Sequence, residues 1–516
     1  MRATTSVRTA LPSSLARPRL LSPPPSFSRS LLLPRSRSLR PPKCFSPHPP
    51  HRHATSSSSA ERQKDVFRTL EERGFLFQTT TPLPQLSQLF GEGEAKALYV
   101  GYDPTAASLH VGSLLSIMAM LHFSRAGHKP VALVGGATGL IGDPSGRSTE
   151  RALLDKQTLA NNLNGIRGCL EQIFQHSSQN NSITIVNNAD WYANMNVLDF
   201  LRDIGKHFRL GSMLAKETVK TRLERSQQRQ EQPESEQSEG MSFTEFSYPL
   251  LQGYDFLHLY RHHRCILQLG GSDQWGNITA GCELIRKLEG PSASSSEASS
   301  STSLAHGVTL PLLTNAAGEK LGKSAGNVAI WLREDMTSHY RFYQYFRSVR
   351  DDEVERLLRL FTFLEMEDIQ QIMQQHSANP EGQLAQATLA EEVTKIVRGE
   401  AAMQRARTAS QIIFKAQPLK QLQFSAGELL DVFQEVPSTE LPREQVLGKD
   451  VVEVAHLCNA TKSKGEAKRI AKEGGLYLNN ERVANVDRKL TSEDLVEGAL
   501  LVLRVGKKSY HLVRTK

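Results

Sequence analysis

The chain has 516 residues, of which 39% are hydrophobic and 22% charged. This composition is typical of globular proteins, and the length is enough for roughly two to four domains. The formal net charge of +8 at pH 7 comes from the first 60 residues, which contain nine Arg, one Lys and no acidic residue. From residue 61 onward, 52 basic residues face 54 acidic ones. This balance excludes a positive field over the whole protein, so affinity for RNA must come from local basic patches.

The first 60 residues have the composition of a targeting segment. They are rich in Arg, Ser and Pro, and the apolar run Leu31-Leu32-Leu33 ends at Pro34, which is too short for a secretory signal. We predict that residues 1–60 are a disordered organellar transit peptide, directed to the mitochondrion or, given the Ser and Pro content, to the plastid. An ordinary disordered tail fits the complete lack of carboxylates less well.

Cysteine spacing and apolar runs limit the remaining classes. The five cysteines show no Cys-x-x-Cys spacing, so we predict neither a disulfide framework nor a zinc site. The apolar run at Leu114–Leu121 is far too short to span a bilayer. We therefore expect a soluble protein without a resident metal.

The predicted elements begin with a charged, helix-compatible run from Glu61 to about Arg73. Residues 97–102 then predict a buried strand, and Ser113–Arg125 carries apolar residues at helical spacing before Gly127. A second strand is predicted at Val131–Val134. Strand, helix and strand with short links form a βαβ unit, which predicts a parallel sheet.

The second half of the chain changes in character. Residues 226–240 and 291–303 are low-complexity segments that we interpret as surface insertions. Beyond Trp331 the apolar stripes predict helices. From about Asp450 onward, short helical runs and strands near 475–480, 500–505 and 510–513 predict a small α+β module.

Three polar clusters are candidates for chemistry. His110-Val111-Gly112-Ser113 stands at the start of a predicted helix, where backbone N–H groups and the helix dipole favour phosphate. Lys320 and Lys323 lie three apart in a loop bracketed by glycines, a spacing suited to charge on a transferring phosphoryl group. Residues 270–277 form a polar, glycine-rich loop after a strand, which is typical of a ligand-binding loop. The first two motifs alone are weak, because a lone helix-capping His or two solvated lysines are common.

Together with four further segments, these clusters closely resemble class I aminoacyl-tRNA synthetases of the bacterial and organellar tyrosyl type. The matching segments are Tyr99–Thr105, Gly135–Arg151, Phe243–Tyr248 and Gly271–Gly281. The resemblance runs from about Val66 to the C-terminus. It implies a Rossmann-like parallel-sheet catalytic domain at 61–340 with an inserted dimerisation segment, a helical anticodon-arm domain at 341–445 and an S4-like RNA-binding domain at 446–516.

In that family, residues 110–113 correspond to the "HIGH" signature and residues 320–324 to the "KMSKS" loop. Ser113 replaces the second histidine of the first signature, which shortens a contact to the nucleotide or leaves it to water. Gly322 replaces a serine, and Arg147 stands where lysine is common.

The resemblance also implies roles for individual residues. Tyr99 and Asp255 are expected on the hydroxyl of tyrosine, and Asp143, Tyr248 and Gln252 on its ammonium group, with Gln274 near the carboxylate. The other expected positions are, for ATP, Asp103, His110, Gly112, Ser113, Gly271, Asp273, Lys320 and Lys323; for catalysis, Thr105, His110, Lys320, Lys323 and Ser324; and for tRNA, Arg147, Arg151, Lys464, Lys468, Arg469 and Lys472.

The implied activity is a tyrosine-tRNA ligase that uses ATP with Mg²⁺ as substrate, has tRNA(Tyr) as partner and forms a homodimer. Three alternatives share parts of the pattern: an RNA-binding protein that kept the fold without the activity, a tryptophanyl synthetase, and a generic adenylate-forming enzyme. The Tyr99 and Asp255 pair and the C-terminal module favour tyrosine.

Overall fold

The computed structural model describes residues 65–145, 154–177, 183–216, 219–224, 241–290, 304–314, 329–415, 419, 425–433, 436–506 and 509–516. The predicted transit peptide and both low-complexity insertions lie outside the described residues. So do Arg147, Arg151, Lys320, Lys323 and Ser324.

A six-stranded sheet forms the centre of the first part of the chain. Its strands are β1 (Gln78–Thr79), β2 (Ala97–Tyr102), β3 (Lys129–Val134), β4 (Thr184–Asn187), β5 (Cys265–Gly271) and β6 (His306–Leu310), in the order β1-β6-β5-β2-β3-β4. All neighbours pair in parallel except β1, which runs antiparallel to β6. The direction of winding reverses between β2 and β5. In open parallel sheets, ligands bind beyond the carboxyl ends of the strands at such a reversal.

The predicted βαβ unit is confirmed. The helix α3 (Val111–Arg125) connects β2 to β3 and begins two residues earlier than the pattern predicts, because His110 caps it. The Nδ1 atom of His110 accepts the backbone N–H of Gly112 at 2.9 Å. Strands β2 and β3 are almost continuously buried, as expected where helices cover both faces of a parallel sheet.

Helices surround the sheet and continue beyond it. They are α1 (Val66–Arg73), α2 (Leu83–Gly91), α4 (Thr138–Ile141), α5 (Lys156–Ser177), α6 (Ala189–Tyr192), α7 (Val197–Asp203), α8 (Leu210–Leu214), α9 (Phe243–His263), α10 (Trp275–Glu289), α11 (His339–Arg347), α12 (Asp351–Phe361), α13 (Met366–Ala378), α14 (Leu384–Arg398) and α15 (Glu400–Lys415). The helices predicted beyond Trp331 are thus present. Their buried side chains, among them Phe342 and Phe361, share one apolar cluster with α3 and the sheet.

The C-terminal part has its own sheet and core. Strands β7 (Ser438–Leu441), β8 (Leu476–Leu478), β9 (Glu481–Arg482), β10 (Leu500–Val505) and β11 (Ser509–Thr515) lie in the order β7-β11-β10-β8-β9. The helices of this part are α16 (Ala426–Val432), α17 (Val451–Leu457) and α18 (Lys464–Lys472). Side chains of α17, α18 and the strands form a separate apolar cluster, in agreement with the predicted α+β module. The division of the chain at residues 340 and 445 stays a prediction.

Within the described residues, no helix has the length and apolar character needed to cross a membrane.

A buried histidine at the junction of α3 with the helical region gives a testable dependence of stability on pH. The ring of His122 is 7% exposed and lies edge-on to the rings of Phe75 and Phe363. Burial, and secondarily Arg73 and Arg125, lowers the pKa of His122 from 6.5 to about 3. Below pH 6.5 the unfolded chain therefore binds a proton at His122 that the folded chain does not bind.

We expect the stability due to neutral His122 to be complete above pH 6.5 and to be lost as the pH falls from there toward 3. At pH 5 the free energy of unfolding is expected to be lower by about 2 kcal/mol. Thermal unfolding of the His122→Phe variant between pH 7.5 and 5 is expected to show a weaker pH dependence than the parent chain. The matched control is His262→Phe, at an exposed position. An unchanged slope in His122→Phe contradicts the prediction.

Candidate active site

A cavity of about 410 Å³ opens at the carboxyl ends of β2 and β5, where the winding of the sheet reverses. Its volume is in the range of small-molecule sites. The structure brings the following predicted residues together in its wall: Tyr99, Asp103, Thr105, His110, Ser113, Asp143, Tyr248, Gln252, Asp255, Gly271, Asp273 and Gln274. Segments distant in sequence thus converge on one site.

The remaining predicted residues fall into three groups. Gly112 lies in the first turn of α3 and donates its N–H to His110. The predicted loop residues at 320–324, with Arg147 and Arg151, lie outside the described residues. The four basic residues predicted for tRNA lie on α18 in the C-terminal part.

Two buried polar side chains form one end of the cavity. Tyr99 on β2 is completely buried, and its ring packs against Phe256. Its hydroxyl has no hydrogen-bond partner among the described residues. Asp255 on α9 is 1% exposed, and its carboxylate accepts hydrogen bonds from Asn188 Nδ2 at 3.0 Å and from Trp191 Nε1 at 2.9 Å. This end can therefore donate and accept a hydrogen bond to a ligand hydroxyl.

Burial controls the charge of this end. Desolvation raises the pKa of Asp255 from 3.8 to about 7, and the hydrogen bonds from Asn188 and Trp191 work in the opposite direction. Desolvation likewise raises the pKa of Tyr99 far above 10, with Asp255 adding to the effect. Tyr99 is therefore a neutral hydroxyl at physiological pH, while Asp255 titrates near neutrality.

A second group of side chains presents oxygen atoms. Asp143 accepts the Nε2 amide of Gln274 at 2.6 Å and the backbone N–H of Ser145 at 3.0 Å. Gln252 donates to Gln274 Oε1 at 3.2 Å and accepts from Asn277 at 3.0 Å. Mutual hydrogen bonds fix these side chains in place, which favours binding of a cation without further ordering.

Asp103 and Tyr248, predicted for different ligands, are neighbours. The hydroxyl of Tyr248 donates to Asp103 Oδ2 at 2.9 Å, and Thr138 donates to Oδ1 at the same distance. Burial, followed by the charges of Asp103 and Asp143, holds the pKa of Tyr248 well above its usual value. Asp103 thus adds a second carboxylate to the oxygen-rich side of the cavity.

The N-terminus of α3 lines the same cavity through His110 and Ser113. Since Nδ1 of His110 accepts the N–H of Gly112, the neutral ring carries its proton on Nε2. That tautomer makes Nε2 a hydrogen-bond donor next to the positive end of a helix dipole. The indole of Trp331 packs against the His110 ring, with 6.1 Å between centroids.

Sequence reasoning missed several residues of the site. Asn188, Trp191 and Thr138 hold the carboxylates, and Gln268 lines the cavity from within β5. Gln268 is 2% exposed, and its Oε1 lacks a partner among the described residues. A glutamine inside an otherwise apolar strand was a usable signal for Gln268; no local pattern marks the other three.

A larger cavity, of about 970 Å³, adjoins the first and shares Ser145 and Asp273 with it. Its wall includes Arg209, Lys216 and Lys287. Burial lowers the pKa of Lys216 to about 8, and its ammonium group donates to the carbonyl of Gly276 at 2.9 Å. The cavity has the room for a phosphate-bearing ligand, and its three cations lie among the acidic side chains of Glu245, Asp273 and Glu283.

The basic helix α18 carries ion pairs with nearby acids. Lys464 pairs with Glu453 at 2.9 Å, and Arg469 with Glu473 at 3.1 Å. Exposed pairs of this kind contribute little to stability, so their cations remain usable for binding phosphate. In the described part of the chain, no group of three or more His, Cys, Asp or Glu residues is arranged to hold a metal ion.

Two family models match the chain. Residues 92–415 match the family described as "tRNA synthetases class I (W and Y)". Residues 428–513 match the "Tyrosine--tRNA ligase SYY-like C-terminal domain".

Characterised relatives cover nearly the whole chain. The chain is 42% identical over 452 residues to the tyrosine-tRNA ligase of Roseiflexus castenholzii, covering 87% of this chain and 99% of that protein. It is 40% identical over 466 residues to the mitochondrial tyrosine-tRNA ligase of Drosophila melanogaster, covering 88% and 94%.

Solved structures give the same result. The C-terminally truncated mitochondrial tyrosyl-tRNA synthetase of Aspergillus nidulans is 32% identical, with a TM-score of 0.58 over 68% of this chain and 94% of that one. The corresponding protein of Coccidioides posadasii is 32% identical, with a TM-score of 0.57 over 67% and 92%. The resemblance seen in the sequence is confirmed: this chain belongs to the class I aminoacyl-tRNA synthetases and, among them, to the tyrosine-tRNA ligases.

Proposed function

We propose that the 410 Å³ cavity binds tyrosine and ATP together and is where the chain makes tyrosyl-adenylate. The observation that carries this is the arrangement of one cavity with three chemically distinct parts. Tyr99 and Asp255, which we assign to the phenol hydroxyl, line the same cavity as the helix start at His110, which we assign to phosphate. Oxygen atoms of Asp143 and Gln252, suited to an ammonium group, line the wall.

In the proposed reaction, a carboxylate oxygen of tyrosine attacks the α-phosphorus of ATP. A new P–O bond forms, the bond to the bridging oxygen breaks, and pyrophosphate leaves. No protein nucleophile is needed, so the enzyme acts by positioning and by stabilising charge. His110 Nε2 and Thr105 donate to phosphate oxygens. Lys320 and Lys323 neutralise charge on the departing pyrophosphate, and the hydroxyl of Ser324 donates a hydrogen bond to it. Mg²⁺ enters with the triphosphate as part of the substrate and adds positive charge there.

Selectivity follows from the buried pair. Tyrosine supplies a hydroxyl that donates to Asp255 and accepts from Tyr99, whereas phenylalanine leaves both groups unpaired away from water. Leaving a buried polar group without a partner costs about 1–3 kcal/mol, and more for a charged one.

For the second step we infer that the adjoining 970 Å³ cavity receives the 3′ end of tRNA(Tyr). Arg209, Lys216 and Lys287 in its wall supply cations for the terminal phosphates. The 3′-terminal ribose hydroxyl then attacks the tyrosyl carbonyl, and AMP leaves. Arg147 and Arg151 are proposed to assist. The C-terminal module acts as an S4-like domain, with Lys464, Lys468, Arg469 and Lys472 on tRNA phosphates.

We propose a homodimer, because the segment after Trp191 presents large apolar side chains to solvent. Leu198 is 70% exposed and Phe243 is 77% exposed. Val197, Leu201, Leu210, Leu214 and Leu223 are exposed as well. A cluster of this kind on a globular protein marks an interface.

We further propose that the enzyme serves translation in the mitochondrial matrix. This location rests on the composition of residues 1–60 and on the mitochondrial relatives. The alternative location is the plastid stroma. Import assays with residues 1–60 and isolated mitochondria or plastids distinguish the two.

The first test concerns the activation step. Full-length protein is expected to catalyse ATP-pyrophosphate exchange with tyrosine but not with phenylalanine or tryptophan. Because both lysines are assigned to the departing pyrophosphate, the double variant Lys320→Ala, Lys323→Ala is expected to lose at least about 100-fold in rate. The matched control, Lys449→Ala in the C-terminal part, keeps its rate. Folded parent protein without exchange would favour an RNA-binding role without the activity.

The second test concerns the charge of Asp255. Since its pKa is about 7, kcat/KM for tyrosine is expected to fall as the pH drops below 7. Trp191→Phe removes a hydrogen bond that lowers this pKa, so the fall is expected to begin at higher pH. Loss of that bond also raises KM for tyrosine about tenfold, while KM for ATP is unchanged. In the control Asp255→Asn, we expect no pH dependence of kcat/KM for tyrosine in this range. If the pH dependence persists in this variant, another group is responsible for the titration.

The third test concerns the dimer. Leu198→Glu combined with Phe243→Asp places charges in the apolar surface, and the molar mass from light scattering is expected to fall from two chains to one. The matched control is Phe77→Asp, which alters an exposed aromatic residue outside that surface and is 59% exposed in the parent. A mass that stays at two chains in the double variant places the interface elsewhere.

A further inference from the structure

A buried arginine at the end of α14 contacts the segment that flanks His110. Arg398 is 5% exposed. Its Nη2 donates to the carbonyl of Trp331 at 3.1 Å and to that of Arg333 at 3.3 Å, and Nη1 lies 3.3 Å from His339 Nδ1. The guanidinium lies over the ring of Phe342, 4.5 Å from its centroid.

Burying the charged guanidinium of Arg398 costs folding free energy. Among the described residues, no carboxylate lies within ion-pairing distance of Arg398, and its Nε has no partner. Burial lowers the pKa of Arg398 to about 10, so the group is still charged at neutral pH. The charges of Glu334 and Asp335 offset part of the desolvation without pairing directly with Arg398. A buried cation held by carbonyls and rings contributes little net stability, because desolvation offsets its hydrogen bonds. Stabilising the fold is therefore a weak explanation for it.

The carbonyls that Arg398 holds belong to a short backbone ladder beside His110. Leu332 N–H donates to Leu109 O at 2.8 Å, and Val111 N–H donates to Ile330 O at 3.0 Å. These two bonds bracket His110 on both sides. The side chain of Arg333 adds a bond to the carbonyl of Ala107 at 3.1 Å.

The ladder also controls the ring itself. His110 and Trp331 face each other as a bridge pair, and their rings are in contact. A shift of the Trp331 backbone therefore moves both the indole against which the imidazole rests and the main chain that carries it. Positioning errors of about 1 Å at a reacting centre can cost about 100-fold in rate.

We propose that Arg398 is a positioning residue for His110: by fixing the carbonyls of Trp331 and Arg333, it sets where His110 Nε2 stands relative to the α-phosphate. This inference rests on the proposed role of His110 in activation. It adds to the site a residue from the helical region that touches neither substrate.

The chain contains a matched control for this arrangement. Arg73 is 6% exposed, and its guanidinium donates to the carbonyls of Arg359, Thr362 and Leu364. Burial lowers its pKa as well. The two arginines share the same chemistry and burial, but the carbonyls that Arg73 holds lie at the end of α12, away from the ladder at His110.

The experiment compares Arg398→Met and Arg73→Met in full-length protein, each alone and combined with His110→Ala. Tyrosine-dependent pyrophosphate exchange and the thermal midpoint are measured for every variant. We expect the two arginine variants to change the midpoint alike and only slightly, but only Arg398→Met to lower kcat, by about 10- to 100-fold, with KM for tyrosine unchanged. In the His110→Ala background, Arg398→Met is expected to cost less than about threefold, because the group it positions is already absent.

Two results overturn the proposal. One is an equal loss of kcat for Arg398→Met with and without His110; the other is an equal loss for Arg73→Met. If His110→Ala exchanges at the parent rate, the proposed role of His110 fails and this inference fails with it. Should Arg398→Met not fold, Arg398→Lys carries the same comparison, since it keeps the charge but loses the planar fork that holds two carbonyls.

Discussion

Three segments of the chain meet at one buried carboxamide, that of Asn188, which has no exposed surface. Its Oδ1 accepts the backbone N–H of Ala137 at 2.7 Å. Its Nδ2 donates to Thr138 Oγ1 and to Asp255 Oδ2, both at 3.0 Å. Only an amide offers an acceptor and two donors at this place. Aspartate adds a second negative charge beside Asp255, and leucine removes all three hydrogen bonds.

From Asn188 a chain of hydrogen bonds runs along the cavity wall. The hydroxyl of Thr138 donates to Asp103 Oδ1 at 2.9 Å, and Asp103 Oδ2 accepts the hydroxyl of Tyr248 at 2.9 Å. The chain therefore links the end assigned to the phenol with the wall assigned to the ammonium group. Since the segments after β2, β3 and β4 and the helix α9 all contribute, the sheet sets the positions of these side chains relative to one another.

The order of secondary structure was predictable, because the signals are local. Continuous apolar runs marked β2 and β3, and helical spacing marked α3. The antiparallel edge strand β1 has two residues, too few for a period to be visible. The helices after His339 share an apolar cluster with α3 and the sheet. Sequence patterns mark apolar faces but do not show which faces pack together. The packing of these helices against α3 and the sheet, across the predicted domain border at residue 340, could therefore not be predicted.

The site was predictable to the extent that motifs carry it. The resemblance supplied Tyr99, Asp255 and His110, all of which the fold brings to one cavity. Trp191 was not among the predicted site residues, yet its indole N–H donates a hydrogen bond to Asp255. Nothing local distinguishes a tryptophan that donates to a distant carboxylate from one that packs in a core. Such contacts depend on residues 64 positions apart and exist only once the sheet has formed.

Buried polar groups are treated in two ways in this molecule. Arg222 and Glu245 are nearly inaccessible and complete each other with two parallel hydrogen bonds, so nothing is left over for a ligand. In the cavity the opposite holds: the Tyr99 hydroxyl and Gln268 Oε1 lack partners among the described residues, and Asp255 keeps a raised pKa despite two donors. Incomplete pairing costs folding stability. A ligand with a hydroxyl at this position supplies the missing hydrogen bonds. A ligand with only carbon there leaves the polar groups buried and unpaired. Discrimination thus depends on what the fold leaves unsatisfied, and a mutation that satisfies these groups internally stabilises the protein at the expense of selectivity.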